Sequence, residues 1–533
     1  MFFKHFIFSA LACLLAALIC GSYLEYTEII ITNLLDGTML NGIHYGNFGI
    51  LANYKIYKLY EALYLINPDV PCYPIALFIF VAVAFSVIVN ASVNTLRTNP
   101  LIVWGWLFVL YVVVIVPCIV QLNFTRSSLL LAFAGLLLAN QYTTIKYPYS
   151  IVVGVVLFAA AIFTRIESGI AVLVIFIVLQ LVSTRRIKIT TKHNIIFIFI
   201  SIALLAYVKY DAWHNPSYLI EIEPEVEYKV LGGEVVPLGS MTTKADSIKY
   251  LAAISWLIGD SVHINAKFMR SIINPESGLF LPYNKFVAGL KENFSAITAI
   301  LLVWLAFLIV TMLQGFAKDK TQSISILSLS LGYLILPSTL VETESRIVVP
   351  LSAIGLFFIA KHQLVSLNFN GKIFSFLIFL VAITLSYTTL KKWILDYKLI
   401  LAANQKAFDY LHTKHPDAKL ITGSFEIYAK HSFTQPANMK LHTVGADFGQ
   451  LGYTNDMKQI IGRMFPNCGY YEYGCRYLSI FNKSENVLII SDEERLKLLV
   501  DYLHYFYNIN IKYENLYKLN HLHNTFIFRI QLS

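Results

Sequence analysis

Three arginines in this sequence stand where chemistry at a membrane face would need them. Arg126 closes Gln121-Leu-Asn-Phe-Thr-Arg126. Arg165 lies in Phe163-Thr-Arg-Ile-Glu-Ser168 beside Glu167. Arg346 closes Val341-Glu-Thr-Glu-Ser-Arg346, after Glu342 and Glu344. A guanidinium is a rigid fork of N–H donors that matches phosphate oxygens, so three at one face could hold a lipid monophosphate or pyrophosphate. The plainer reading is that Arg165–Glu167 and Glu344–Arg346 are structural ion pairs, or that each arginine reaches for lipid headgroups. Asp36, in Asn33-Leu-Leu-Asp-Gly37 with His44 following, is either a general base for an acceptor hydroxyl or a turn residue, since Asp-Gly is a common turn pair. Cys468 and Cys475 flank a short Gly- and Tyr-rich stretch. They are expected to form a disulfide if their compartment is oxidising, and a zinc site lacks a second Cys/His pair at ligand spacing.

Other chemistries find no support. The sequence holds no G-x-x-x-x-G-K-[ST] loop and no G-x-G-x-x-G after a strand, which argues against a nucleotide-driven transporter. It holds neither H-E-x-x-H nor G-x-S-x-G, so a zinc protease and a hydrolase nucleophile elbow are not indicated.

The elements that must position these residues follow from composition. The 533-residue chain is 57% hydrophobic and 14% charged, with a mean hydropathy of +0.62. A soluble domain carries roughly 25% charged residues, so a wholly soluble chain is excluded, as is intrinsic disorder. A hydrocarbon core asks for about 20 apolar residues per helix. Eleven stretches qualify as candidate spans: Phe6–Leu24, Tyr73–Val93, Leu101–Val120, Ser127–Asn140, Tyr149–Phe163, Ser168–Val182, Asn194–Tyr210, Ala296–Leu313, Ile324–Leu340, Ile347–Ala360 and Ile373–Leu390. Those starting at Ser127, Tyr149, Ser168 and Ile347 are short for a full crossing.

Numbering the connections alternately, with the N-terminus inside, puts 11 basic residues and one acid on the inner side. The basic ones are Lys4, Arg97, Lys146, Arg185, Arg186, Lys188, Lys192, Lys318, Lys320, Lys361 and Lys372, and the acid is Asp319. This is the positive-inside bias. It accounts for the net charge of +9, because the rest of the chain holds 30 basic and 31 acidic residues. The charge therefore reports orientation, and no nucleic-acid partner is implied.

The same numbering places three larger pieces outside. Loop 26–72 is tyrosine-rich, and its Ile56, Leu59, Tyr60 and Leu63 predict an amphipathic helix lying in the membrane interface. Its tyrosines read either as a headgroup belt or as the lining of a sugar or lipid groove. Loop 211–294 begins with alternating glutamates, Glu221 to Glu227, and predicts helices over Ala245–Gly259 and Asn265–Ile273. From residue 391 to 533 the pattern is mixed α/β: a helix over Tyr397–His415, strands at Lys419–Thr422 and Val487–Ser491, a helix over Glu493–Phe506 capped by Ser491 or Asp492, and a closing strand pair at Asn510–Tyr517 and Thr525–Leu532. The expected fold is thus a mainly α-helical polytopic membrane protein, a transmembrane domain over 1–390 and a small extracytoplasmic α/β domain over 391–533.

Several short motifs carry a resemblance. They are Leu35-Asp36-Gly37, the run Leu59-Tyr60 through Asp69 into Tyr73-Pro74, Leu122-Asn-Phe-Thr-Arg126, Phe163-Thr-Arg165, Asp260 after Trp256, and Ser345-Arg346 ahead of Val349-Pro350. With an outer C-terminal α/β domain, this arrangement resembles the GT-C fold glycosyltransferases, polytopic enzymes that take sugars from polyprenyl-phosphate carriers. More closely, it is similar to a group of bacterial multi-pass proteins without an assigned substrate. The likeness spans most of the membrane portion. It implies Asp36 as the base and Arg126, Arg165 or Arg346 as binders of the lipid-linked phosphate, with Glu167, Glu342, Glu344 and His44 in support. Asp36 is followed by Gly37, where such enzymes often carry a second acid.

The function expected on this reading is transfer of a sugar from a polyprenyl-phosphate carrier to a glycan, lipid or protein acceptor on the outer face of the cytoplasmic membrane. No cofactor is required, and a role for a divalent metal is open. The alternatives are a surface polysaccharide polymerase or ligase, which would need Arg126 and Arg165 but not Asp36, and a non-enzymatic scaffold or lipid carrier.

Overall fold

The computed structural model describes residues 2–24, 53–96, 100–140, 149–184, 192–214, 234–255, 263–274, 300–305, 345–363, 369–416, 419–422, 430–431, 443–445, 487–520 and 525–532, together with single positions 28, 31, 32, 35, 44, 145, 229, 230, 287, 298, 325, 326, 328, 329 and 332. The described chain is mostly helical, with a small sheet near its C-terminus. The helices are α1 (Phe2–Cys20), α2 (Tyr54–Ile66), α3 (Cys72–Thr95), α4 (Pro100–Leu110), α5 (Val116–Val120), α6 (Phe124–Ala139), α7 (Tyr149–Thr164), α8 (Ile166–Thr184), α9 (Lys192–His214), α10 (Lys244–Ile254), α11 (Ala266–Ile272), α12 (Ser345–Gln363), α13 (Phe369–Lys414) and α14 (Glu493–Tyr507). A π-helical turn over Tyr111–Ile115 joins α4 to α5 without a break.

Among the described residues, three helical stretches are long and apolar enough to cross a membrane: Phe3–Cys20, Cys72–Thr95 and Ile102–Val120. Phe124–Ala139, Tyr149–Thr164 and Ile166–Val182 are apolar but shorter. The stretches expected at Ala296–Leu313 and Ile324–Leu340 lie largely outside the described residues.

Side-chain pairs fix the directions of these helices. His5, early in α1, meets Asn90, late in α3, at 2.9 Å, so α1 and α3 are antiparallel. Phe8 packs edge-on to Trp104 at 5.2 Å, and Ser22 Oγ donates to the Ile119 carbonyl at 2.8 Å, so α1 runs with α4–α5. Gly135 of α6 faces Gly154 of the antiparallel α7, and an added Cβ on either would sit 2.7 Å from the other's carbonyl oxygen. Only two glycines permit that closeness. Phe133 of α6, Phe176 of α8 and Phe357 and Phe358 of α12 form one aromatic layer, at 6.4, 5.9 and 5.5 Å. Each of these rings lies about three turns into its helix. Ser128 Oγ donates to Ser168 Oγ at 2.7 Å near the starts of α6 and α8, and Gln180 Nε2 donates to Asn140 Oδ1 at 3.3 Å near their ends, so these two helices run parallel and begin at the same end of the bundle.

That end also carries a small sheet. Strand β1 (Tyr23–Leu24) follows α1, and β2 (Gln121–Leu122) follows α5. They pair in parallel because the helices that deliver them are parallel. A third strand from the C-terminal region, β4 (Lys430–His431), pairs antiparallel with β1.

The helix expected over Tyr397–His415 and the last apolar stretch prove to be one element. Helix α13 runs 46 residues through position 390 without interruption, about 69 Å at 1.5 Å per residue. Its far end meets a five-stranded sheet in the order β5-β3-β6-β8-β7, formed by β3 (Lys419–Thr422), β5 (Thr443–Gly445), β6 (Val487–Asp492), β7 (Ile511–Asn520) and β8 (Thr525–Leu532). Strands β5, β3 and β6 are parallel, and β8 and β7 close the sheet antiparallel. Leu488 and Ile490 bury one face of β6 against Ala407 and Leu411 of α13, while Ile489 joins the core that includes Leu496, Leu499 and Leu503 of α14. A strand covered on both faces reads as a continuous apolar run, which Val487–Ile490 is. Strands β3, β6, β7 and β8 and the helix α14 match their sequence expectations to within a few residues, β5 was not expected, and Asp492 is the N-cap, accepting from Arg495 N. Expected helices in loop 211–294 appear as α10 and α11, and the glutamates from Glu221 to Glu227 lie outside the described residues.

Candidate functional site

The site is built around the first turn of α6. Asn123 precedes it in extended conformation, and its side-chain oxygen accepts from Thr125 N at 2.6 Å and Arg126 N at 3.3 Å. The preceding amide, Phe124 N, donates to Glu28 Oε1 at 3.1 Å. Glu28, Ile31, Thr32 and Leu35 are helical and buried, at the i, i+3, i+4, i+7 spacing of a single helix face. Thr32 Oγ1 donates to the Glu28 carbonyl at 2.7 Å. The positive end of α6 is thus satisfied from inside the protein, by a carboxylate and an amide.

Arg126 is 1% exposed. Its Nη1 donates to the Gln121 carbonyl at 2.6 Å and its Nη2 to Gln121 Oε1 at 2.5 Å, so strand β2 grips both arms of the guanidinium. The Trp393 ring of α13 lies 6.0 Å from the guanidinium carbon, and one turn further on Tyr397 stacks on Tyr23 of β1 at 4.8 Å. Arg165 follows α7 and approaches from the side. Its Nη1 donates to Thr125 Oγ1, and its guanidinium carbon lies 5.2 Å from the Phe124 ring. Its Nε is 3.5 Å from Glu167 Oε2. The Glu167 side chain is 69% exposed, and ion pairs so open to water contribute little. Arg346 is half-buried in the first turn of α12.

The structure therefore brings Arg126 and Arg165 together at one helical turn, and shows no contact of Arg346 with either among the described residues. His44 Nδ1 donates to the Leu35 carbonyl at 2.7 Å. Asp36, Glu342, Glu344, Cys468 and Cys475 lie outside the described residues. Among the described residues no three His, Cys, Asp or Glu side chains gather as a metal site.

Three of the tyrosines of loop 26–72 are turned into the protein, away from the headgroup belt that is one of their two readings. Tyr57, Tyr60 and Tyr64 of α2 are buried against Tyr73 of α3. Ring centroids lie 6.3 Å apart for Tyr57–Tyr73 and 5.3 Å for Tyr60–Tyr73, and Tyr64 OH accepts from Tyr73 N at 3.3 Å. Burial pushes the Tyr60 hydroxyl well above the usual tyrosine range. Large amphipathic rings gain more from packing than from the interface when a groove of matching shape exists. At its other end α2 is tied to α9: Lys55 Nζ bonds Tyr207 OH and pairs with Asp211 Oδ1 at 2.9 Å, and Asn53 Nδ2 donates to Asp211 Oδ2 at 3.0 Å. The bond to Tyr207, then that to Asp211, raises the Lys55 ammonium above the usual lysine range.

Glu28, Gln121 and Trp393 were not singled out by sequence. The spacing Glu28-Ile31-Thr32-Leu35 carries a helical signal that could have placed Glu28 on a buried face. Gln121 and Trp393 become neighbours of Arg126 only through the fold, and nothing local marks them. Comparison of the chain with protein-family models, with curated proteins and with solved structures finds no match.

Proposed function

We propose that this chain is an integral membrane glycosyltransferase of the GT-C type. It takes a sugar from a polyprenyl-phosphate carrier and delivers it to an acceptor on the outer face of the cytoplasmic membrane. The reading uses eleven spans, the N-terminus inside, the C-terminal domain outside, and a Cys468–Cys475 disulfide in that oxidising compartment. The observation that carries it is the meeting of Arg126 and Arg165 on the first turn of α6; Arg346 joins them on the proposed topology. Two or three guanidinium groups there suit a phosphate that gains charge as its bond to the sugar breaks.

In the proposed step the Asp36 carboxylate takes the proton of the acceptor hydroxyl. The oxygen attacks the anomeric carbon, the bond from that carbon to the phosphate oxygen breaks, and its electron pair leaves with the polyprenyl phosphate. Arg165 and Arg346, which are half-buried, are the groups able to reach a ligand, while the buried Arg126 holds the field behind them.

The test is sugar transfer by the purified chain from a panel of polyprenyl-phosphate sugars. Transfer that falls at least tenfold in Arg165→Gln and Arg346→Gln supports the reading. Transfer in Asp36→Asn at the wild-type rate removes Asp36 as base and leaves a polymerase or ligase. No transfer from any carrier overturns the enzyme reading altogether.

A further inference from the structure

Helix α2 has three distinct sides. At roughly 100° per residue, Tyr57, Tyr60 and Tyr64 fill one arc roughly 60° wide, Leu59, Leu63 and Ile66 a second of the same width, and Lys58, Glu61 and the exposed Leu65 a third, with neighbouring arcs roughly 100–140° apart. The tyrosine arc is buried in the protein. The leucine arc is open: Leu59 is 58% exposed, Leu63 39% and Ile66 81%. Lys58 on the third arc is exposed as well.

The helix cannot roll to hide the open stripe. Its first turn is pinned by Lys55 to Asp211 and by Asn53, whose amide donates to the Phe163 carbonyl at 2.9 Å and whose side chain donates to Asp211. Its last turn is held by Tyr64 to Tyr73. Beyond Ile66 the chain passes exposed Val70 and enters α3, a helix of span length whose Ile79 is 48% exposed. The apolar stripe is therefore continuous along the chain with the wall of a candidate span.

We infer that α2 lies at the membrane surface with Leu59, Leu63 and Ile66 in the acyl layer of a phospholipid leaflet, Lys58 and Glu61 toward water, and the tyrosines turned into the protein. This reverses the side on which the aromatic residues of such a helix are usually sought. The inference rests on α3 crossing a membrane and is independent of the sugar-transfer reading. It would place the arginine end of the bundle, to which α2 is tied through Phe163, at headgroup level.

The test uses the full chain reconstituted in phosphatidylcholine vesicles doped with an acyl-chain diazirine lipid, with hydroxyl-radical oxidation as the water-side label. The expected result is acyl adducts at Leu59, Leu63, Ile66 and Ile79 several-fold above those at Lys58 and Glu61, with oxidation following the opposite order. Adducts at Ile79 with Leu59, Leu63 and Ile66 oxidised overturn the inference in favour of a solvated helix. Adducts at Ile79 with neither label on the leucine stripe overturn it in favour of a protein cover, such as a second copy. Absence of adducts at Ile79 as well removes the membrane premise, a failure distinct from that of the helix.

Discussion

Lys55 and Asp211, 156 residues apart in sequence, form an ion pair at 2.9 Å that fastens a surface helix to the end of α9. The pair stands at the rim of the bundle, where Tyr207 and Asn53 complete the cluster. Removing Asp211 should loosen α2 before it unfolds anything else. Asp211→Ala is expected to speed amide exchange in Tyr54–Ile66 with little change in α6, measured by hydrogen exchange in nanodiscs. Because the folded Lys55 value lies above the lysine reference of 10.5, its contribution is complete below that reference and fades only as pH rises through the folded value. Exchange in α2, corrected for intrinsic rates, should therefore stay flat from neutral pH to about 9, below the free-lysine value.

The crossing of α6 and α7 makes a sharper prediction. A Cβ on Gly135 would lie 2.7 Å from Gly154 O and 2.9 Å from Phe158 N, both backbone atoms that cannot move aside alone. Gly135→Ala should destabilise the bundle by about 1–3 kcal/mol, the range for overpacking. Gly105→Ala is the control, since nothing lies within 4 Å of its Cβ position. Thermal unfolding in detergent should separate the two.

Arg126 is held by two oxygens of one residue, so charge alone will not replace it. Arg126→Lys keeps the positive charge but loses the fork that spans Gln121 O and Oε1. The lysine variant should lose stability as Gln121→Leu does, each by about 1–3 kcal/mol for a buried polar group left unmatched. On the proposed reading, sugar transfer should fall in both. Wild-type stability in Arg126→Lys would show that the fork is not needed.

Glu28 offers a graded test of what caps α6. Glu28→Gln retains an acceptor for Phe124 N and forfeits the charge at the helix's positive end, about 0.3–1 kcal/mol and up to about 2 when buried. Glu28→Ala also leaves that amide without its carboxylate acceptor, adding about 1–3 kcal/mol. The alanine variant should therefore unfold at clearly lower temperature than the glutamine variant.

Outside the bundle, α10 begins on a threonine N-cap. Thr243 Oγ1 accepts from Asp246 N at 3.0 Å and donates to Asp246 Oδ2 at 2.8 Å. The hydrogen bond from Lys249, then that from Thr243, holds the Asp246 carboxyl below its ordinary 3.8. A depressed carboxylate stabilises above the unfolded value and loses that effect as pH falls through the folded one. Local protection of α10 should thus be intact at pH 5 and decline below about 4. Thr243→Ala should cost about 1 kcal/mol of local stability at neutral pH, read by exchange in Lys244–Ile254.

Where local signals carried the structure, the sequence was legible. Asp492 before an apolar helical repeat gave α14, and Val487–Ile490 gave a strand buried on two faces. Hydropathy, by contrast, marks contact with lipid and not the end of a helix. Lys391 and Lys392 end the apolar stretch at Leu390, yet α13 continues because its backbone has no reason to stop before Pro416. The tyrosines of α2 failed for a related reason: the sequence shows two apolar stripes, and only packing decides which one turns inward. At the candidate site, Arg126 and Arg165 were visible as isolated charges, but the turn on which they meet depends on Gly135 and Gly154 bringing α7 against α6.

Helix α13 carries no hinge between Trp393, which lies over the Arg126 guanidinium, and Tyr410, which stacks on Tyr517 of β7 at 4.7 Å. A helical rod of that length transmits twist and tilt with little loss. The C-terminal sheet and the arginine turn thus share one mechanical coordinate, and a load that tilts the sheet displaces the indole from its guanidinium. Anything that engages the C-terminal sheet would therefore be felt at Arg126 without a messenger loop between them.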